Sequence, residues 1–513
     1  MSKRKHAIEA YFQSGLRLHR AGRLQEAEQV YRQVLAASPA HADSLHMLGV
    51  IATQCGQSEA ALSCIEQAIA LKPSVAMFHV NRAAALLALR QLDAALAACQ
   101  QALRLKRNCA EAYQVMGHVL SDLGRPQEAV AAHRDALRHR MDLPDGHNNL
   151  GLALRQAGCL EEALAAFRQA VEHAPGDPVA QGNLASVLKE LARLDEAEAC
   201  YRAALGEHPD DPVLHVNLGF VLLLAGRFEA GWQEYEWRFR AGAAHIPACA
   251  QPRWNGDDLA GRRLLIRAEQ GMGDTIQFCR FVPIAAQRGA VVLEVQPGLR
   301  HLISGVLDER QIVTVGQPLP PFDVWCPLLS LPYLLGMEAL QPPYLAADAG
   351  RVAAWRARIG THGRRIGIAW QGNPTSAAER GRSVPVREFL PLAQVPGVRL
   401  ISLQKHDGLD QLTSLPEELR IETLGDDFDA GPEAFLDAAA VMQCVDLVVT
   451  SDTSVAHLCG ALGRPVWVAL QHVPDWRWQL DGETCAWYPT MRLFRQPKRG
   501  DWASVFARIA ACL

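Results

Sequence analysis

The sequence predicts an all-helical repeat array over its N-terminal half, followed by an α/β region built as two parallel-sheet halves. Three observations carry this. Turn-like heptapeptides recur at steps of 34 residues from Gly22 to Gly226; helical periodicity stops at a Gly-, Pro- and Ala-rich stretch near residue 240; beyond it, short apolar runs alternate with helical ones. At 513 residues, 49% hydrophobic and 21% charged, the chain has apolar material for more than one core.

Composition also excludes classes of function. The net charge is −4, without a basic tract or basic-aromatic array, so nucleic acid is not the expected partner. Thirteen cysteines, an odd number without a CxxC pair or zinc-ligand spacing, predict reduced thiols in a cytoplasm rather than a disulfide framework. The opening MSKRKHAIEAYFQSG is basic but lacks an apolar core, so no secretory signal is expected. Nor is a membrane span: no apolar run reaches the length of about 18 residues that one needs.

The repeats come first. AGRLQEA, CGQSEAA, LRQLDAA, LGRPQEA, AGCLEEA, LARLDEA and AGRFEAG place Gly22, Gly56, Arg90, Gly124, Gly158, Ala192 and Gly226 in one register. Ala27, Ala61, Ala95, Ala129, Ala163 and Ala197 hold it, as do Tyr31, Phe167, Tyr201 and Tyr235. Small residues let paired helices approach, and aromatics fill the gap to the next pair. Residues 7–240 thereby resemble the tetratricopeptide repeat (TPR), whose helix pairs stack into a superhelix with a concave face suited to another chain. The array is assigned residues 1–240.

One column departs from packing logic. Before each Leu-Gly-like pair stand Gln13, Met47, Asn81, Val115, Asn149, Asn183 and Asn217. Asn is a mediocre helix former, and its carboxamide can pair with any peptide backbone. The repeats of the O-GlcNAc transferase family carry such an asparagine ladder, which implies that Asn81, Asn149, Asn183 and Asn217 bind a protein or peptide acceptor; the alternative is a set of solvated or locally satisfied positions. His79, His147 and His215 share a column two residues earlier and read as packing.

Residues 241–261 read as a linker. After it, RRLLIRA predicts a strand, EQGMGD a tight loop, TIQFCRFVPIAAQRG a helix and AVVLEVQ a second strand. A second series begins at RRIGIAWQGNP, continues through VRLISLQK and ends in DLVVT and PVWVAL. Residues 262–350 and 351–513 are therefore assigned to two Rossmann-like halves. This plan resembles that of the GT-B glycosyltransferases, a resemblance that implies nucleotide-sugar binding by the second half.

Residues 450–470, TSDTSVAHLCGALGRPVWVAL, supply the chemistry. Asp452 to Ser454 occupy a turn between a strand and a short helix, where unpaired N–H groups face an anion; the plain alternative is that Asp452 or Thr453 only caps the helix. Together with Met272-Gly273-Asp274 after the first strand, this segment resembles the bacterial heptosyltransferases of glycosyltransferase family 9, with Ser454 where the family usually has glycine. The whole layout resembles bacterial TPR-containing glycosyltransferases. The resemblance implies a metal-independent, inverting transfer from a nucleotide-sugar, with no cofactor. It puts Gly273, Thr453 and His457 at the donor and makes Asp274, leaving the first strand in a glycine-flanked loop, the general base. The alternative for Asp274 is a helix N-cap.

Arg382 and Lys405, the latter ending its strand, are candidate phosphate cations or else solvated surface charges. Gly372 and Asn373 either let the loop approach the donor or form an ordinary Asn-Pro turn. DFD at 427–429 reads as solvated rather than as a metal-binding DxD, and Trp476, Trp478, Trp487 and Tyr488 read as structural packing, the alternative being that they pack the sugar or base. Three functions compete: a transferase acting on a protein or peptide, a non-catalytic TPR scaffold, and a transferase for a saccharide or lipid-linked acceptor.

Overall fold

The structure, a computed structural model, describes residues 2–143, 145–243, 249–337, 339, 341–375, 381–416 and 418–513. Packing divides the chain into two compact units, Met1–Leu191 and Ala192–Leu513.

The first unit contains eleven helices, from Ser2–Arg20 to Pro178–Glu190, among the described residues. The column that ends each first helix is left-handed throughout the chain: φ is 74° at Gly22 and Gly56, 71° at Gly124, 80° at Gly158 and 75° at Gly226. Beyond it, Arg23 N–H donates to Leu18 O, Gln57 to Ala52 O and Arg125 to Leu120 O, the Schellman bond that satisfies an orphan carbonyl. Arg90 and Ala192 take the same conformation at φ 59° and 61°, where a Cβ is strained. The register alanines are fully buried. A Cβ on Gly15 or Gly151 would lie 2.6 Å from the ring of Tyr31 or Phe167, so each glycine admits the aromatic of its own repeat.

His46 and His133 are buried, and burial pushes their pKa values down to about 4 and about 3. An unfolded histidine takes its proton near pH 6.5, the folded ones only well below it. Their contribution is therefore whole above pH 6.5 and is lost as pH falls toward 4, by about 3 kcal/mol per histidine. Urea unfolding followed by helical circular dichroism should show a lower midpoint at pH 4.5 than at pH 7, with a smaller difference in His133→Leu; equal midpoints in the wild-type chain would refute this.

The repeat helices run on to Tyr235, while the packing unit changes at Leu191. Helices Leu194–Glu207, Pro212–Leu224 and Phe228–Tyr235 belong to the second unit because Leu223, Leu224, Trp232 and Tyr235 share one apolar core with Leu264 and Ile266 of the first strand. Of the proposed linker, residues 244–248 lie outside the described residues; Arg253 bridges to Trp325.

The rest of this unit holds two parallel sheets. β1 (Leu264–Arg267), β2 (Val291–Val295), β3 (Ile312–Thr314) and β4 (Val324–Pro327) run in the order β3-β2-β1-β4. β5 (Arg364–Ala369), β6 (Val398–Ser402), β7 (Ile421–Glu422), β8 (Leu447–Ser451), β9 (Val466–Leu470) and β10 (Met491–Arg495) run β10-β9-β8-β5-β6-β7. The order reverses between β1 and β4 and between β5 and β8, and a crevice opens at the carboxyl ends of strands at such points.

Two expected boundaries are corrected. Helix begins at Met272, not Thr275, so Asp274 lies in a first helical turn rather than in a loop; the segment then breaks into Met272–Phe278, a 3₁₀ turn Cys279–Phe281 and Val282–Ala286, where Pro283 lacks an N–H to donate. β6 ends at Ser402, three residues before Lys405.

Candidate functional site

One cavity of about 1050 Å³ lies over the carboxyl ends of β1, β5 and β8. Gly273, Asp274, Gly372, Asn373, Arg382, Lys405, Asp452, Thr453, Ser454 and His457, the ten residues singled out in the α/β region, all line it.

The first half contributes the turn after β1. Glu269 and Gln270 lead into Gly271, the N-cap of helix Met272–Phe278, and Asp274 is the third residue of that helix. Its Oδ2 accepts from Gly271 N–H at 2.9 Å, and its Oδ1 pairs with Arg477. Asp274 is thus not the N-cap, though its carboxylate reaches back from the third helical position to the N–H of the N-cap glycine. Gly273 faces the second half: a Cβ there would lie 3.3 Å from Ser454 Cα and 3.4 Å from His457 Cδ2. Its missing side chain is what lets the two short helices approach.

Helix Ser454–Ala461 contributes the opposite wall, and here the capping alternative is corrected. Thr453 is the N-cap but makes no side-chain cap bond; its Oγ1 lies 3.3 Å from Thr450 Oγ1. Asp452 precedes the cap. Arg382 donates through Nε and NH2 to the Asp452 carbonyl at 3.0 and 2.6 Å and pairs with its carboxylate at 3.2 Å. Burial pushes the Asp452 pKa up, against the pull of Arg382. With both groups of Asp452 turned to Arg382, the first N–H groups of this helix keep no side-chain cap, which is the condition for meeting an anion. His457 is buried, its ring stacked at 5.2 Å on Trp478, its Nδ1 3.2 Å from Tyr488 Oη. Burial, reinforced by Arg477, drives its pKa far below the usual value, so it works as a neutral imidazole.

Lys405 Nζ donates to Phe428 O, and Gly372 N–H donates to Ser383 Oγ at 3.2 Å. Asn373 Oδ1 accepts from Thr375 N–H at 2.9 Å, the turn geometry its alternative reading described.

Sequence reasoning missed one cation of the cavity wall, Arg477. Arg477 donates through NH1 to Asp475 at 2.8 Å, through Nε to Gln277 at 2.8 Å, and pairs with Asp274. Burial works against its charge, but Asp475 and Asp274 prevail and raise its pKa. Asp475 in turn is lowered: burial would raise it, and Arg477 overcomes that. The signal was PDWRW, where a cation stands between aromatics. Tyr235 and Phe220, from the last two repeat helices, also line the cavity. Tyr235 Oη accepts from Gln270 Nε2 at 2.6 Å.

In the repeats, Asn81 Nδ2 lies 2.6 Å from His46 Nε2 and Asn183 Nδ2 donates to Asn148 Oδ1 at 2.9 Å. Two of the four asparagines thus bridge one repeat to its neighbour. Asn149 and Asn217 make no side-chain hydrogen bond among the described residues, and both are half-buried. His79 and His215 each place Nε2 against the carbonyl of the proline six residues earlier, at 2.8 and 2.9 Å, and the His147 ring stacks on His173 at 5.0 Å, so each histidine of that column has a local partner.

A TPR profile matches residues 18–84 and 154–215, and another matches 115–178. The N-terminal part is a TPR array. Glycosyltransferase family 9 (heptosyltransferase) matches residues 390–470, from the segment before β6 through β9, and so takes in Lys405 and the whole of helix Ser454–Ala461. Protein FlbA of Caulobacter vibrioides is 30% identical over 322 residues, 57% of this chain and 53% of that protein, so the chain spans about half the length of this relative. Among solved structures, MamA is 24% identical over 31% of this chain and 93% of its own, with a TM-score of 0.28. The TPR protein TTC0263 of Thermus thermophilus is 26% identical, covers 35% of this chain and 98% of its own, and scores 0.32.

Proposed function

We propose that this chain is an inverting glycosyltransferase that moves a sugar from a nucleotide-sugar to a hydroxyl of a protein or peptide held by the TPR array. The reading is carried by one coincidence: the segment matching glycosyltransferase family 9 contains the helix that forms one wall of the cavity, and Asp274 of the other half lines the same cavity. The acceptor oxygen attacks the anomeric carbon while its proton passes to the Asp274 carboxylate. The bond from that carbon to the phosphate oxygen breaks, and its electron pair leaves with the nucleoside diphosphate. Arg382, Lys405 and the N-terminus of helix Ser454–Ala461 receive the departing charge without a metal ion. His457, neutral at working pH, can donate or accept a hydrogen bond there without adding charge.

The uncapped N-terminus at Thr453 supports a diphosphate site, and Phe220 and Tyr235 in the cavity wall support an acceptor delivered from the repeats. All thirteen cysteines are free thiols, and among the described residues no helix is long and apolar enough to cross a membrane; the thiols favour a cytoplasmic setting. Purified chain incubated with uridine, adenosine, guanosine and cytidine diphosphate sugars should release nucleoside diphosphate from one of them by slow hydrolysis, and that donor should raise the melting temperature. Silence toward all four classes in both measurements would leave the scaffold.

A further inference from the structure

We infer that Arg477 is the positioning residue for Asp274, so that the base takes its working orientation only while the two halves of the α/β unit are apposed; this rests on the reading of Asp274 as base. Arg477 stands on the second half, in the 3₁₀ turn Trp476–Trp478, and its guanidinium crosses to the first half. There it pairs with Asp274 Oδ1 and donates to Gln277 Oε1 at 2.8 Å, while NH1 reaches back to Asp475 at 2.8 Å. The head group is therefore held at three points around one plane. Its remaining face lies 4.3 Å from the Trp476 ring, and Trp476 packs edge-on against Trp232 at 5.2 Å. The guanidinium has little freedom left.

A general base must present a lone pair within hydrogen-bond reach of the proton it removes. Gly271 N–H holds only Oδ2 of Asp274. Without a second contact the carboxylate could swing about that oxygen. Arg477 supplies the contact on Oδ1, and each oxygen keeps a further lone pair for an acceptor hydroxyl. The planar fork matters here, because an ammonium fixes a charge without fixing an orientation.

The test uses the full chain, the donor found by the hydrolysis screen, and four proteins: wild type, Arg477→Met, Arg477→Lys and Asp274→Asn, with the double variant Asp274→Asn/Arg477→Met. Arg477→Met should lower kcat about 10²-fold, the scale of a misplaced reacting group, with donor KM within about threefold. Arg477→Lys should recover part of that loss. The double variant should be no slower than Asp274→Asn, and it should melt no lower than Arg477→Met, because it no longer leaves Asp274 beside Asp475 without their shared cation. Wild-type kcat in Arg477→Met beside an impaired Asp274→Asn overturns the inference and leaves the base reading standing. Multiplying losses in the double variant also overturn it, since Arg477 would then act apart from Asp274. Wild-type kcat in Asp274→Asn, or no turnover by the wild-type chain, overturns both.

Discussion

Asp274→Asn is expected to lower turnover by about 10² to 10⁴, the contribution of a positioned general base, while the nucleoside diphosphate still binds. The substitution keeps the shape of the side chain. Asn can still accept from Gly271 N–H, so the first turn of helix Met272–Phe278 should persist, and Arg477 keeps Asp475 and Gln277. What disappears is the basic oxygen and the charge facing Arg477. The donor contacts proposed for Arg382, Lys405 and helix Ser454–Ala461 lie on the other wall and are untouched. Calorimetry with the nucleoside diphosphate beside a hydrolysis assay separates the roles: normal turnover would remove Asp274 from the chemistry, and lost nucleotide affinity would move it to the donor site. Asp452 gives the contrast, since it holds Arg382 rather than capping the helix. Its loss should weaken nucleotide binding together with rate.

Much of this architecture was legible because short-range physics imposes it. The column from Gly22 to Gly226 could be read as turns since a helix that ends in a left-handed residue favours glycine there. β1, β2, β5, β6, β8 and β9 announced themselves as apolar runs of strand length. The edge strands β3, β4, β7 and β10 did not, because each is short or mixed with polar residues. Asp274, Asp452 and His457 were found because they follow strands in motifs with fixed spacing. Arg477 was not. Its partners Asp274 and Gln277 are 203 and 200 residues away, and nothing in PDWRW alone says which carboxylate it meets. The change of packing unit at Leu191 was hidden for a similar reason: the repeat helices after it keep the 34-residue register while burying Trp232 and Tyr235 in a core built by distant strands.

That shared core contains the residue whose loss should harm stability most. Arg238 is fully buried in the turn that follows the last repeat helix, and all five of its N–H bonds are engaged. Nε and NH2 donate to the Glu269 carboxylate at 3.1 and 2.8 Å, NH2 also to Ser330 Oγ at 2.9 Å, and NH1 to Glu236 at 2.7 Å and to the Tyr235 carbonyl at 3.2 Å. Burial opposes the charge, yet Glu269 raises the Arg238 pKa above that of free arginine. Arg238→Ala leaves Glu269 buried without its cation, and removing one partner of such a pair costs about 3 to 5 kcal/mol. Glu269 sits one residue before Gln270, which Tyr235 holds, and five before Asp274, so the loop that presents the base should loosen with the fold. Glu269→Gln placed on top of Arg238→Ala should recover part of the stability, because the stranded charge goes with it. Urea unfolding of the wild type, both single variants and the double variant measures this coupling. A cost below about 1 kcal/mol for Arg238→Ala, or additive costs in the double variant, would mean that apolar packing of Trp232 and Tyr235 alone ties the last repeat to the base-bearing sheet.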